Sequence, residues 1–192
     1  MEKLILASAS PRRREILTLA GIPFEVCPAA DEHCPADLTP EDRVKALAKD
    51  KATQVAKRYP GRVILGSDTM VELDGRVLGK PHSEAEAVEM LLSLQGREHQ
   101  VRTGVWVIRT DASGKTVQED GFTDTARVKF FPMTAAEAEA YVATGEPMDK
   151  AGAYGIQGYG LRFVEGITGD YYTVMGLPGG RLVRFLAKFG IC

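Results

Sequence analysis

Short apolar runs alternate along the chain with stretches in which apolar residues recur every three or four positions, and the rhythm changes at serine, threonine, proline or glycine. Leu4-Ile5-Leu6-Ala7 predicts a strand feeding a tight turn at Ser8-Ala9-Ser10-Pro11. Ser10 can cap a helix there, and Pro11 loses no hydrogen bond at the first helical position. Ile16, Leu17 and Ala20 face that helix inward, and Gly21 and Pro23 stop it. Residues 24–27 predict a second strand. Thr39-Pro40-Glu41-Asp42 has the capping-box pattern and opens a helix to about Arg58.

Val63-Ile64-Leu65 reads as a buried strand leading into Gly66-Ser67-Asp68-Thr69. Residues 71–73 and 76–78 around Asp74-Gly75 predict a hairpin, because Asp-Gly supplies the positive φ angles of a two-residue turn. Ser83 to Glu86 is another capping box, with Val88, Leu91 and Leu92 inward and an end at Gly96. Residues 101–108 and 123–131 predict longer strands, separated by a polar surface turn at 111–114. Thr134 and Glu137 cap a helix ending near Gly145, after which a strand pair and a closing helix marked by Leu182, Val183, Phe185 and Leu186 are expected. Interleaved strands, helices and hairpins predict an α/β fold: one mixed twisted sheet flanked by helices, with a cleft between two lobes.

Composition narrows the classes. The chain has 192 residues, 44% hydrophobic and 26% charged, with a net charge of −2. That is enough to bury a core and too little positive charge to coat a long nucleic acid, so an anion site must be local. No run approaches the roughly 18 apolar residues of a membrane helix, and Arg12 arrives too early for a signal peptide, so a cytoplasmic protein is expected. Cys27, Cys34 and Cys192 are odd in number and lack metal spacing, which predicts free thiols.

Five constellations carry candidate chemistry. Arg12, Arg13 and Arg14 stand in the first turn of a helix, where cations oppose the dipole. Bound phosphate would relieve that repulsion, since the free amides, the hydroxyls of Ser8 and Ser10 and the guanidinium forks all donate to phosphate oxygens. The alternative is a solvated basic face. Lys51 falls inside the apolar stripe of its helix, so it either snorkels to solvent or points its ammonium at an anion. Asp68 ends an apolar strand, where α/β enzymes place catalytic groups, and with Asp31 and Glu32 offers hard oxygen ligands for Mg²⁺ or Mn²⁺. Gly79-Lys80-Pro81 holds a cation in a tight turn but is too short for a P-loop. Residues 149–158 place three glycines beside Gln157, whose amide pairs donor and acceptor as a pyrimidine edge would require. His33, His82 and His99 show no ligand or nucleophile pattern.

In order and spacing, Ser8-Ala9-Ser10-Pro11-Arg12-Arg13, Gly66-Ser67-Asp68-Thr69, Gly79-Lys80-Pro81 and Asp149-Lys150-Ala151-Gly152-Ala153-Tyr154-Gly155-Ile156-Gln157-Gly158 resemble the signatures of the Maf family across essentially the whole chain. Thr103-Gly104-Val105 and Gly176-Leu177-Pro178 are similar to its lesser motifs. The resemblance implies a single Maf-like, ITPase-like domain over residues 1–192 that splits a nucleoside triphosphate between the α and β phosphates with a divalent metal, Mg²⁺ or Mn²⁺. By matching position it implies that Asp68 accepts the proton of water and that Arg12, Thr69 and Gln157 set base preference. Glu32, Lys51 and Lys80 would complete the metal and phosphate shell.

Arg at position 12 and Gln at 157 are similar to the family branch acting on dTTP and UTP, with modified pyrimidine triphosphates as further substrates, rather than to the 7-methyl-GTP branch. A homodimer is also implied. The rival expectation is a non-catalytic nucleotide-binding regulator of cell division. A stable nucleic-acid partner and a membrane are not expected.

Overall fold

The computed structural model describes residues 3–30, 33, 35 and 37–191. Seven strands form one mixed sheet flanked by helices, in the order β2-β1-β3-β5-β6-β7, with the short β4 on β3. Here β1 is Leu4–Leu6, β2 Phe24–Val26, β3 Val63–Leu73, β4 Arg76–Leu78, β5 Glu98–Thr110, β6 Thr116–Phe130 and β7 Val164–Thr168. Pairing is parallel for β1 with β2 and with β3, and antiparallel for β3 with β4 and β6 with β7. The helices are α1 Pro11–Leu19, α2 Pro40–Ala56, α3 Glu84–Leu94, α4 Ala135–Val142, α5 Tyr171–Met175 and α6 Gly179–Leu186. Among the described residues no helix is long and apolar enough to cross a membrane.

Two compact units arise: one from Met1–Asp68, Thr103–Asp124 and Gly176–Cys192, the other from Thr69–Arg102 and Thr125–Met175. In the first, the apolar positions of β1, α2, β3 and β5 close on one another, with Ile5, Ala7, Ala52, Val55, Ala56, Ile64 and Ile108 forming one buried cluster. Two strand glycines let α2 approach this closely. A Cβ on Gly66 would lie 2.0 Å from the Ala48 carbonyl oxygen, and one on Gly104 would lie 2.3 Å from that of Val44. At α6, a Cβ on Gly179 would sit 3.1 Å from Ile16, so Gly179 lies close against α1, and the helix starts there in spite of its two glycines.

In the second unit the buried aromatic residues Phe130, Tyr141, Tyr154 and Phe163 gather around β6. His99 is buried with them, edge-on to Phe130 and Tyr154. Its Nε2 lies 2.8 Å from the Tyr154 hydroxyl, while Nδ1 has no hydrogen-bond partner among the described residues. Burial pushes its pKa down from 6.5 to about 4, because desolvation disfavours the imidazolium. The unfolded chain therefore takes up a proton below pH 6.5 that the folded chain refuses until about 4.

Stability from the neutral ring is whole above pH 6.5 and is lost as pH falls toward 4, by roughly 3 kcal/mol in all. Glu137 and Glu146, whose carboxyls are held below the usual value of 4.5, and Asp111, held below 3.8, add a further loss that sets in only near the bottom of this window, so the interval from pH 7 to 5.5 reports His99 most cleanly. Urea denaturation at pH 7, 5.5 and 4.5 measures the slope, and His99→Phe is expected to flatten it. An unchanged slope in that variant would place the effect elsewhere.

Three expectations change. The segment 66–69 is part of one continuous strand rather than a loop after it, since β3 runs to Leu73. Between α4 and α5 there is one strand, β7, reached through three 3-10 turns, instead of a strand pair. Glycines at 152, 155, 158 and 160 break periodicity there, and Gly152 and Gly158 take positive φ. At α3, Ser83 accepts from the Glu86 amide, but the Glu86 carboxylate accepts from His82 N, so the reciprocal box is absent. Thr134 and Glu137 complete theirs.

Candidate active site

In the first unit the turn after β1 is organised by two serines. Ser10 caps α1, its Oγ facing the Arg13 amide at 3.5 Å, and the Ser8 Oγ accepts from Ser10 N at 3.2 Å. The Arg13 side chain is buried and turns back over this turn: Nη1 donates to Ser8 Oγ at 2.9 Å and Nε to the Gly176 carbonyl at 2.9 Å. That carbonyl also accepts from Ser67 Oγ at 3.2 Å. Arg13 is thus a strut joining residues 8–13 to the segment before α6, and through the shared Gly176 carbonyl to Ser67 in the middle of β3. The spacing of 163 residues between Arg13 and Gly176 leaves no trace of this strut in local sequence. Arg12 beside it is half-buried on the same helical turn.

Lys51 resolves its two readings by pointing inward. Its Nζ donates to Asp68 Oδ1 at 2.6 Å, with the two side chains 11% and 14% exposed. Neither charge is left uncompensated, which matters because a half-buried ion without a partner is costly. Asp68 stands on β3, held from one side by α2 and one residue after Ser67. No other hydrogen bond to the Asp68 carboxylate is made among the described residues. Residues 31 and 32, including the expected metal ligand Glu32, lie outside the described residues. Next to them, His33 N donates to Asp50 on α2 at 3.0 Å.

The second unit holds Thr69, Lys80 and Gln157. Thr69 is half-buried on β3, and Lys80 is exposed in the turn after β4. Gly152 N donates to the Gly79 carbonyl at 3.0 Å, so the Lys80 turn and the glycine-rich segment touch. Gly152 also lies against Val71 of β3: a Cβ there would be 2.9 Å from the Val71 side chain, and φ is +69°. Gln157 is half-buried in extended conformation at the tip of this segment.

The structure therefore gathers Ser8, Ser10, Arg12, Arg13, Lys51 and Asp68 in one unit and Thr69, Lys80 and Gln157 in the other. The chain passes between units at the Asp68–Thr69 peptide. Missed by sequence reasoning are the Gly176 carbonyl and Ser67 as the hub of the first set. Glu146, whose carboxylate accepts from the Tyr159 and Gly160 amides, was missed as well and anchors the segment that carries Gln157.

A carboxylate with one oxygen on an ammonium and a second oxygen available suits a hard cation that completes its shell with water and phosphate. No cluster of three or more His, Cys, Asp or Glu residues able to hold an ion occurs among the described residues. The donor set fits Mg²⁺ or Mn²⁺ bound largely through substrate, and does not resemble a zinc cage.

The family model described as "Maf-like protein" matches residues 3–189. A dTTP/UTP pyrophosphatase of Bacillus cereus (strain AH820) is 50% identical over 192 residues, covering 100% of this chain and 97% of the relative. One from Symbiobacterium thermophilum is 50% identical over 191 residues, covering 99% and 95%. Among solved structures, a nucleoside-triphosphatase / dITP/XTP pyrophosphatase of Mycobacterium abscessus is 13% identical, covers 97% of this chain and 98% of its own, and superposes with a TM-score of 0.45. That likeness is too slight to bear on function.

Proposed function

The chain belongs to the Maf family, and from that premise we propose that it hydrolyses dTTP and UTP, with modified pyrimidine triphosphates as further substrates, to the monophosphate and pyrophosphate. The observation that carries this reading is the Lys51–Asp68 pair at 2.6 Å, a carboxylate at mid-strand beside a turn rich in phosphate donors. Full-length identity of 50% to two pyrophosphatases supports the substrate class.

Triphosphate binds through the amides at the start of α1, the hydroxyls of Ser8 and Ser10, and the side chains of Arg12, Lys51 and Lys80, which together neutralise charge on the transferred group. Arg13 acts from behind by holding Ser8. Asp68 takes the proton of a water whose oxygen attacks the α-phosphorus. The bond from that phosphorus to the bridging oxygen of the β-phosphate breaks, and pyrophosphate leaves. For the Asp68 carboxylate to do this, Lys51 swings its ammonium toward incoming phosphate, exchanging one anionic partner for another. A divalent metal held by Asp68 and Glu32 would supply charge neutralisation at the phosphates and a more acidic water. Arg12, Thr69 and Gln157 set base preference. The protein works as a homodimer in the cytoplasm, where its substrates are.

Pyrophosphate release from dTTP, UTP, dCTP and 7-methyl-GTP, each with Mg²⁺ and with Mn²⁺, tests this. Expected is a kcat/KM for dTTP and UTP at least ~10-fold above 7-methyl-GTP, the scale a polar specificity contact reaches. Preference for 7-methyl-GTP would move the chain to the other branch. No release from any triphosphate would favour a nucleotide-binding regulator of division.

A further inference from the structure

Gln157 sits in a segment whose two feet are held by one carboxylate and one phenol. Glu146 begins the first 3-10 turn after α4, following Gly145 at φ 76°. Its Oε2 accepts from the Tyr159 amide at 2.9 Å, and its Oε1 accepts from the Gly160 amide at 3.2 Å and the Tyr141 hydroxyl at 2.8 Å. Tyr141, buried in α4, accepts in turn from the Gly155 amide at 3.1 Å. The chain is thus gripped two residues before Gln157 and again two residues after it, through groups that bond to each other.

Side-chain-free positions seal the arrangement. A Cβ on Gly158 would lie 2.6 Å from Glu146 Oε2, and one on Gly160 would lie 2.2 Å from the Gly155 carbonyl oxygen. The two feet therefore pack back to back, and the carboxylate fills the space beneath the tip. Burial pushes the Glu146 carboxyl up, but the Tyr159 amide, the Tyr141 hydroxyl, the Gly160 amide and the Lys150 ammonium outweigh it and hold it below the usual range. A carboxylate can accept all three bonds at once, and no neutral side chain of that shape can.

We propose that Glu146, acting with Tyr141, is the positioning residue that sets the height and direction of the Gln157 amide, and through it the choice of base. This rests on the reading that Gln157 meets the base edge. A glutamine amide that comes too close or stands too far distinguishes poorly between an edge offering O4 and N3–H and one offering N4–H₂ and N3. The distance is fixed by the loop, and the loop is fixed by the carboxylate.

Glu146→Gln tests this with unchanged shape, because its NH₂ must face at least one of the Tyr159 and Gly160 amides, donor against donor. Tyr141→Phe tests it from the other side by freeing the Gly155 foot. Both are compared with Gln157→Ala by the ratio of kcat/KM for dTTP over dCTP, with Tm recorded for each.

The expected result is a fall of about 10-fold in that ratio for all three variants, carried by KM for dTTP with kcat within about 3-fold. The Glu146→Gln, Gln157→Ala double variant should be no worse than Gln157→Ala alone, since both act on one contact. If Gln157→Ala lowers the ratio and the other two leave it intact, the positioning role is overturned while the reading of Gln157 stands. If Gln157→Ala leaves the ratio unchanged, that reading falls and takes this one with it. An equal loss of kcat on both substrates in Glu146→Gln and Tyr141→Phe would mean a merely structural role and would overturn the proposal. Should Glu146→Gln not fold, Tyr141→Phe decides.

Discussion

Asp68→Asn is expected to lower kcat for dTTP by about 10³-fold or more while the protein stays folded and still binds nucleotide. The magnitude combines the loss of a general base, worth ~10² to 10⁴, with the loss of an anionic oxygen for the metal. The substitution is nearly isosteric, and the amide oxygen can still accept from Lys51 Nζ where Oδ1 now stands at 2.6 Å. What disappears is the counter-charge on an ammonium that is only 11% exposed. Some stability is therefore lost, on the order of 1–3 kcal/mol, less than the cost of deleting the partner outright. Calorimetric Tm and titration with dTTP separate this loss from catalysis. A variant retaining more than about a tenth of wild-type kcat would remove Asp68 from the reaction. Lys51→Met makes the reciprocal case: it strands the carboxylate, and KM should rise together with a fall in kcat.

Features encoded by neighbours in sequence were legible, and those encoded by distant partners were not. Ser10, Thr39, Ser83 and Thr134 were visible as helix caps because a cap acts within three residues, and each accepts from the amide three positions on. The Asp74-Gly75 hairpin was visible for the same reason, both residues taking positive φ. The continuity of β3 through Gly66 and Asp68 was hidden, because both residue types are poor strand formers and their presence answers to tertiary demands. Arg13 read as a phosphate ligand because its charge and place in a helical turn are local facts, while its carbonyl acceptor at Gly176 is not.

Glu146 illustrates the limit. Two of its three partners are main-chain amides 13 and 14 residues ahead, and an amide carries no residue identity from which a pairing could be inferred. Lys51 lay between these extremes: helical periodicity placed it on the buried stripe, and only the strand opposite decided what its ammonium met. Gly104 lies in one of the lesser motifs that carry the family resemblance, and its physical reason is α2 resting against it, a partner about 60 residues away in the chain.

That contact predicts the largest stability effect. Gly66→Ala and Gly104→Ala should each cost about 3–5 kcal/mol, beyond ordinary overpacking, because the obstacle is main chain and cannot rotate away. At Gly66 the new methyl would meet Ala48 O at 2.0 Å and Ala52 N at 2.9 Å, and at Gly104 it would meet Val44 O at 2.3 Å and Lys45 N at 2.7 Å. The strands carrying the two glycines are neighbours in the sheet, and the obstructing atoms lie about one turn apart on α2. Either substitution is relieved by the same movement, a shift of α2 away from the sheet.

The second substitution then meets a helix that has already withdrawn, so the double variant should lose less than the sum of the singles, by roughly 1–2 kcal/mol. Lys51 rides on α2 and Asp68 on β3, so the same shift lengthens their ion pair, and activity should fall even where folding survives. Gly180→Ala is the control, since nothing lies within 4 Å of a Cβ there and the residue is exposed in a helix. It should be neutral or gain up to about 1 kcal/mol. Chemical denaturation of the four variants decides the matter. Strict additivity, or a cost below about 1 kcal/mol at either strand glycine, would mean that α2 yields locally and that the close approach does not set the geometry of Lys51 and Asp68.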